Sequence, residues 1–356
     1  MKKIPLSEPY FTEEMKKAAI DALENEFYIG GESVEEFEKE FAEYVRKKYA
    51  IAVSSGTAAL QLSLIALGLE PGDKVVTSTN SFIASANSII HAGCEPRFVD
   101  IDERTGLMDI KKCKEDDIKA VMPVHIYGQP CDMDEVIEFA KERGIPIIED
   151  ACQAHGAEYK GRKIGSIGDV GCFSFYTSKN MIVCGDGGMV VTDDEDIANY
   201  IRSLRDCGRI SKYEHDKIGY TARLDTFKAA IGRVQLKYLD MNNENRRMIA
   251  EHYFTHLPEE CLLDEVDGNV YHLFVIKAKN RDEVVEHLKK NGIQTGVHYP
   301  NPIHLQPCYR ERFGYEGGEF PAAEKFSKEI LSLPMYPGLE DDEIEYICEK
   351  VKEVLK

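Results

Sequence analysis

From Tyr49 to Thr192 the chain alternates short, apolar, β-branched runs with helical patterns, and this alternation is what most constrains its fold. "YAIAVS" leads into "TAALQLSLIALG", and "DKVVTST" into "SFIASANSIIHAG". "EPRFVDID", "IKAVMPVHIYG", the helical "MDEVIEFAKERG", "IPIIEDA", "VGCFSFY" and "GGMVVT" follow. Apolar runs without polar alternation are strands covered on both faces, and helices between them make the sheet mostly parallel. The class is therefore α/β, with a large parallel-sheet domain. After about Lys237 the texture changes. "YLDMNNENRRMIAEHYFTHL" predicts a long helix, and "NVYHLFVIKA", "RDEVVEHLKKNG" and the C-terminal "EDDEIEYICEKVKEVLK" predict a smaller α+β domain. The division is placed at residues 1–240 and 241–356, with the first 30 or so residues packing across both.

Composition narrows the function. A net charge of −19 argues against nucleic acid or an anionic membrane as the main partner, since both need basic surfaces. No apolar run approaches the roughly 20 residues of a membrane span. "MKKIPLSEPYF" lacks the apolar core of a secretory signal, so a cytoplasmic protein is expected. The ten cysteines are scattered and form no CxxC pair, which predicts neither a disulfide framework nor a zinc site.

Three stretches could carry chemistry. "VSSGTAAL" is a strand, a small-residue turn and a helix start. Its backbone N–H groups and the hydroxyls of Ser55 and Thr57 suit a phosphate, or serve simply as a helix N-cap. Neither a P-loop nor a dinucleotide fingerprint is present. "IPIIEDACQAHGA" puts Glu149 and Asp150 at a strand end, where open α/β sheets bind ligands. Asp150 there could hold a metal, act as a base, pair with a protonated ring nitrogen, or cap a helix, and no second carboxylate follows at metal spacing. In "FYTSKNMIVCGDGG", Lys179 follows another strand. It is either a solvated loop lysine or a partly desolvated amine able to form a Schiff base. Phosphate cradle, strand-end acid and lysine together are what pyridoxal phosphate needs, and Phe82 in "STNSFIAS" offers a ring to stack on it or to pack in the core.

These stretches, with "YIGGESVEEFEKEFAEYV", "PVHIYGQPCDM", "GYTARLDTFKAAIGRVQL" and "VHYPNPIHLQPCY", make the chain resemble the DegT/DnrJ/EryC1/StrS sugar aminotransferases almost end to end. The resemblance implies the aspartate-aminotransferase-like fold type I and pyridoxal 5'-phosphate as cofactor. It implies that Lys179 binds the cofactor aldehyde and moves the proton, that Asp150 partners the pyridinium, and that Gln153 touches the ring face or 3′-oxygen. Phe82 would stack on the ring, and Gly56, Thr57 and Ser174 would hold the phosphate. Tyr28, His298, Tyr299 and His304 would bind substrate, a nucleotide-diphosphate keto-sugar, with L-glutamate as amino donor. A homodimer with a shared active site is implied, residues 219–230 reaching into the partner's site. The "HIYGQP" and "TGVHYPNPIHLQPCY" stretches look most like family members acting on UDP-linked 2-acetamido-3-keto-uronic acids. A 4-keto sugar of the perosamine-synthase type is the alternative, and a non-catalytic regulator a more distant one. Arg205, Arg209, Lys212, Arg310 and Arg312 are candidate cations for the diphosphate. The sequence departs from the family at Thr221, where an Asn is usual, and at Cys207, where a His is usual.

Overall fold

A computed structural model describes residues 3–355. The strands β1 (Tyr49–Val53), β2 (Lys74–Ser78), β3 (Glu95–Val99), β4 (Ile118–Met122) and β5 (Ile148–Asp150) follow the apolar runs. Next come the short hairpin β6 (Glu158–Tyr159) and β7 (Arg162–Lys163), then β8 (Val170–Ser174) and β9 (Gly188–Thr192). Sheet order is β3-β2-β4 and β5-β8-β9-β1. Parallel bridges Val121–Ile147 and Val124–Asp150 join the two halves between β4 and β5. β9 alone runs antiparallel, to both β1 and β8.

Helices cover the sheet: α3 (Gly56–Ala66), α4 (Ala84–His91), α5 (Met133–Arg143) and α6 (Glu195–Leu204) follow their strands. Before β1, α1 (Glu13–Asn25) starts at Thr12, whose hydroxyl accepts from Met15 N–H. Then α2 (Glu32–Val45) buries Phe37 and Phe41, and Phe41 meets Phe173 edge-on at 5.0 Å. These rings are part of the main core, between sheet and α2.

The long helix α7 (Thr226–His256) runs unbroken through position 241. Its buried side chains change partners along its length. Ala229 and Leu239 belong to the main core, whereas Ile249, Ala250 and Tyr253 belong to a second one. That second core lies among the antiparallel pair β10 (Phe274–Lys277) and β11 (Ile330–Leu333), α8 (Arg281–Lys290) and α11 (Asp341–Lys352). The helices α9 (Pro307–Phe313) and α10 (Pro321–Glu329) precede β11. The N-terminal segment touches both regions: Ile4 bridges to Ile293 in the second core, and Met15 packs on Ile231 and Val234 of α7. No helix among the described residues is long and apolar enough to cross a membrane.

Candidate active site

The carboxyl ends of β2, β5 and β8 and the start of α3 converge on a cavity of about 390 Å³, within the range of about 300–1,000 Å³ usual for small-ligand sites. Alternation along β5 separates the two acids that the sequence leaves side by side. Asp150 lines this cavity. Glu149 points to the other face, where it accepts from Gly165, Ile167 and Gly168 N–H at 2.8, 2.6 and 2.6 Å and faces His125 Nε2 at 3.3 Å.

Asp150 is held by its surroundings. Oδ2 accepts from Ser85 Oγ at 2.7 Å and Oδ1 from Cys152 N–H at 3.2 Å. Ser81 Oγ stands 2.7 Å from Ser85 Oγ. Opposite, Lys179 reaches into the cavity from the β8–β9 connection, its backbone N–H bonded to Tyr176 O. Its amine has no hydrogen-bond or ion-pair partner among the described residues. The residue is partly exposed and lines the cavity. Burial pulls the lysine below its ordinary pKa, and the neighbouring Cys152 and Asp150 oppose that pull only in part.

The α3 start is shaped by close approach. Ser55 caps the helix by accepting from Ala58 N–H at 3.1 Å, which leaves the first N–H groups of the helix facing the cavity. A Cβ on Gly56 would lie 2.7 Å from Ser174 Cβ and 2.9 Å from Cys152 Sγ. A Cβ on Gly188 would lie 2.4 Å from the Ser55 carbonyl oxygen. The glycine after the lysine loop thus serves the protein's own chain packing, letting β9 lie against the β1–α3 turn.

Of the residues named from sequence, Gly56, Thr57, Phe82, Asp150, Gln153, Ser174, Lys179 and Tyr299 meet at this one cavity. Phe82 is half exposed, its ring 5.8 Å from that of Tyr299. Gln153 accepts from Tyr127 N–H at 2.8 Å and donates to Tyr299 OH at 3.4 Å. Others lie elsewhere. His304 is fully buried, bonded to Thr79 Oγ1 at 2.6 Å and Glu324 at 3.1 Å within a Tyr315–Phe320 aromatic group, which leaves neither ring nitrogen for a substrate. His298 bonds Ser332 Oγ through Nδ1 at 2.8 Å, and burial with the Lys179 charge pushes it down to about 4. Tyr28 is exposed on the surface beside residues 225–226, its carbonyl accepting from Thr226 N–H at 2.9 Å. Arg205 pairs with Glu38 and the Ala52 carbonyl, and Arg310 bonds Tyr315 O at 3.2 Å.

The two departures from the family pattern are one local feature: Cys207 Sγ and Thr221 Oγ1 touch at 3.5 Å. Cys184 sits on an exposed turn outside the cavity, and desolvation pushes its thiol up, the wrong direction for a nucleophile. Sequence reasoning missed Ser85 and Cys152. The signal for Ser85 was available in "SFIASANS", because the first turn of a helix after a strand end faces the same crevice.

An unpartnered, desolvated lysine amine, a fixed carboxylate and a helix start free for an anion fit pyridoxal phosphate at its aldehyde, ring nitrogen and phosphate. Fold and site thus define a fold type I pyridoxal-phosphate enzyme. The chain belongs to the DegT/DnrJ/EryC1/StrS aminotransferase family, whose profile it matches over residues 9–352. A pleiotropic regulatory protein of Geobacillus stearothermophilus is 40% identical, over 98% of this chain and 97% of its own. The dTDP-3-amino-3,4,6-trideoxy-alpha-D-glucose transaminase of Streptomyces venezuelae is 39% identical, over 96% and 92%. The GDP-perosamine synthase of Escherichia coli O157:H7 is 37% identical, over 99% of each chain. The crystal structure of S. venezuelae DesV with a ketimine intermediate superposes at TM-score 0.95 with 38% identity, over 99% of this chain and 98% of that one. The protein is a pyridoxal-phosphate-dependent aminotransferase.

Proposed function

We propose that the enzyme aminates a nucleotide-linked 3-keto sugar, takes the amino group from L-glutamate, and works at a site completed by a second copy of the chain. The observation that carries the reading is the meeting of Lys179, Asp150 and the Ser55–Thr57 helix start around one cavity. Pyridoxal phosphate, when bound, supplies an electron sink and carries the amino group between the two substrates. Gly56, Thr57 and Ser174 would hold its phosphate and Phe82 would stack on its ring. Asp150 would keep the ring nitrogen protonated, and Gln153 would contact the ring. Lys179 would hold the cofactor at its aldehyde, and its Nζ would serve as the acid and base that moves the proton. Its lowered pKa favours the neutral amine that both tasks need.

Support for a 3-keto substrate comes from the relatives, since the S. venezuelae transaminase is named for a 3-amino sugar. The 4-amino alternative rests on the perosamine synthase. Among the described residues lining the cavity Lys179 is the one cation. The carboxylate of a 2-acetamido-3-keto-uronic acid would therefore be met by a residue from across the dimer. Support for the dimer is the exposed apolar surface beside the start of α7. Phe27 and Tyr28 are 84% and 68% exposed there, next to the residues 219–230 that the reading sends into the partner's site.

A panel of UDP-, dTDP- and GDP-linked 3-keto and 4-keto sugars, uronic acids included, incubated with glutamate and read by mass spectrometry, tests the substrate. Amination of the 4-keto members alone overturns the 3-keto reading. Lys179→Ala is expected to lose turnover, and a variant that turns over normally overturns the lysine's role.

A further inference from the structure

The C-terminal turns of α7 and the start of α11 bring two histidines and two carboxylates together at the surface. None of them lines the Lys179 cavity. His252 and His256 are four residues apart on α7, hence on one face of the helix, with ring centroids 4.6 Å apart. His256 Nδ1 lies 2.8 Å from the His252 carbonyl oxygen. A carbonyl only accepts, so Nδ1 carries the proton and Nε2 presents a lone pair outward. His252 Nδ1 faces Asp341 Oδ1 at 3.5 Å, on the first turn of α11. A histidine whose one nitrogen is directed at a carbonyl or carboxylate while the other stays free is the arrangement found at metal-binding imidazoles. Glu345 stands one turn along α11 from Asp341. Ligand atoms of His252, His256 and Glu345 all lie within 4.8 Å of one another.

The scaffold beneath is firm. Tyr253 and Leu257 of the α7 end and Ile344 and Cys348 of α11 are buried in the same core, so the two helices hold the ligands at fixed spacing. The side chains above are partly exposed and can rotate to bring bonds to the length of about 2.0–2.2 Å that zinc takes with nitrogen and oxygen.

We propose that His252, His256 and Glu345 form a binding site for a divalent transition metal of the zinc class, with Asp341 orienting His252. Two imidazoles and one carboxylate suit a borderline ion, whereas calcium and magnesium take oxygen ligands. Three protein ligands leave a fourth position for water. The ion joins α11 to the long helix, and its effect is on the stability of the C-terminal region and not on the chemistry at Lys179.

The test uses tag-free, chelator-washed holoenzyme titrated with zinc chloride by calorimetry, with the thermal midpoint followed in parallel. One zinc per chain and an upward shift of the midpoint are expected. His252→Gln and His256→Gln should each weaken binding at least about tenfold, and Glu345→Gln should weaken it less. Cofactor absorbance and transamination rate should be unchanged in all three. Cobalt on the unsubstituted protein reads the ligands directly and does not depend on a variant folding: visible bands without thiolate charge transfer support the site. A thiolate band, zinc affinity retained in the double histidine variant, or a midpoint that zinc leaves unmoved would each overturn it.

Discussion

Ser85 donates a hydrogen bond of 2.7 Å to Oδ2 of Asp150, so the carboxylate at the end of β5 is aimed by the first turn of α4. Hydrogen bonds to a charged group contribute about 1.5–3 kcal/mol. Ser85→Ala should therefore lower kcat by roughly tenfold to a hundredfold and lower the thermal midpoint as well. Asp150→Asn, which removes the charge itself, should cost more. Steady-state kinetics on the two variants check the order, and equal losses would mean that Ser85 does not act through Asp150.

Gly188→Ala places a methyl group against the Ser55 carbonyl oxygen, which would stand 2.4 Å away. β9 or the β1–α3 turn must shift, at a cost of about 1–3 kcal/mol for overpacking. Since the proposed function puts the cofactor phosphate on the N–H groups of that turn, cofactor affinity should fall together with stability. Titration of the apoenzyme with pyridoxal phosphate, beside a thermal melt, measures both. A melt lowered with cofactor affinity intact would separate the turn from the phosphate.

Glu149 holds the 165–168 turn to β5 through three backbone N–H groups and His125. Burial alone would raise its pKa, but the adjacent His125 and the N–H bonds from Gly168 and Gly165 win and hold it below the ordinary glutamate value. Glu149→Ala leaves several buried donors unpaired. It should destabilise by about 3–5 kcal/mol, as for a broken buried pair, with Glu149→Gln losing less because one acceptor oxygen remains. Urea unfolding gives the comparison. A group with a depressed carboxylate pKa stabilises above its unfolded pKa, and that stability is lost as pH falls through the folded one. The Glu149→Gln profile should accordingly be flatter on the acid side than that of the unsubstituted protein.

The sheet, the strand-end acid, the lysine and the helix start were legible in the sequence because each is written locally, as an apolar run, a turn or a cap. Glu149 and Asp150 are adjacent, and only the alternation of a paired strand tells which one faces the cavity. His304 reads like a substrate ligand in a prolyl loop, yet Thr79 and Glu324, distant in sequence, take both its nitrogens. Tyr28 is in the same position: its motif is recognisable, but its place beside Thr226 depends on the fold. The single turn of α7 between His252 and His256 was visible as spacing, while the α11 carboxylates that complete the cluster come from tertiary packing.

The acid limb of stability should be set by the histidines around Lys179. His155 lies against Phe173 and Phe175, at ring distances of 5.5 and 5.8 Å, and neither of its nitrogens has a hydrogen-bond partner among the described residues. Burial and then the Lys179 charge push it down to about 3, and the same two causes push His298 to about 4. His272 is lowered by burial, Lys179 and Arg246. In the unfolded chain each titrates near about 6.5. Between the folded and unfolded values the unfolded state binds more protons, so stability rises with pH over that window and levels off above it. One histidine contributes at most roughly 1.4 kcal/mol per pH unit. His155→Phe keeps the ring packing and removes one titrating group. Relative to the unsubstituted protein it should gain stability steadily as pH falls from 6.5 toward 4 and show no such gain above 7. Urea midpoints of both proteins at pH 4, 5, 6 and 7 decide the matter, and parallel profiles would mean that His155 does not carry the acid sensitivity.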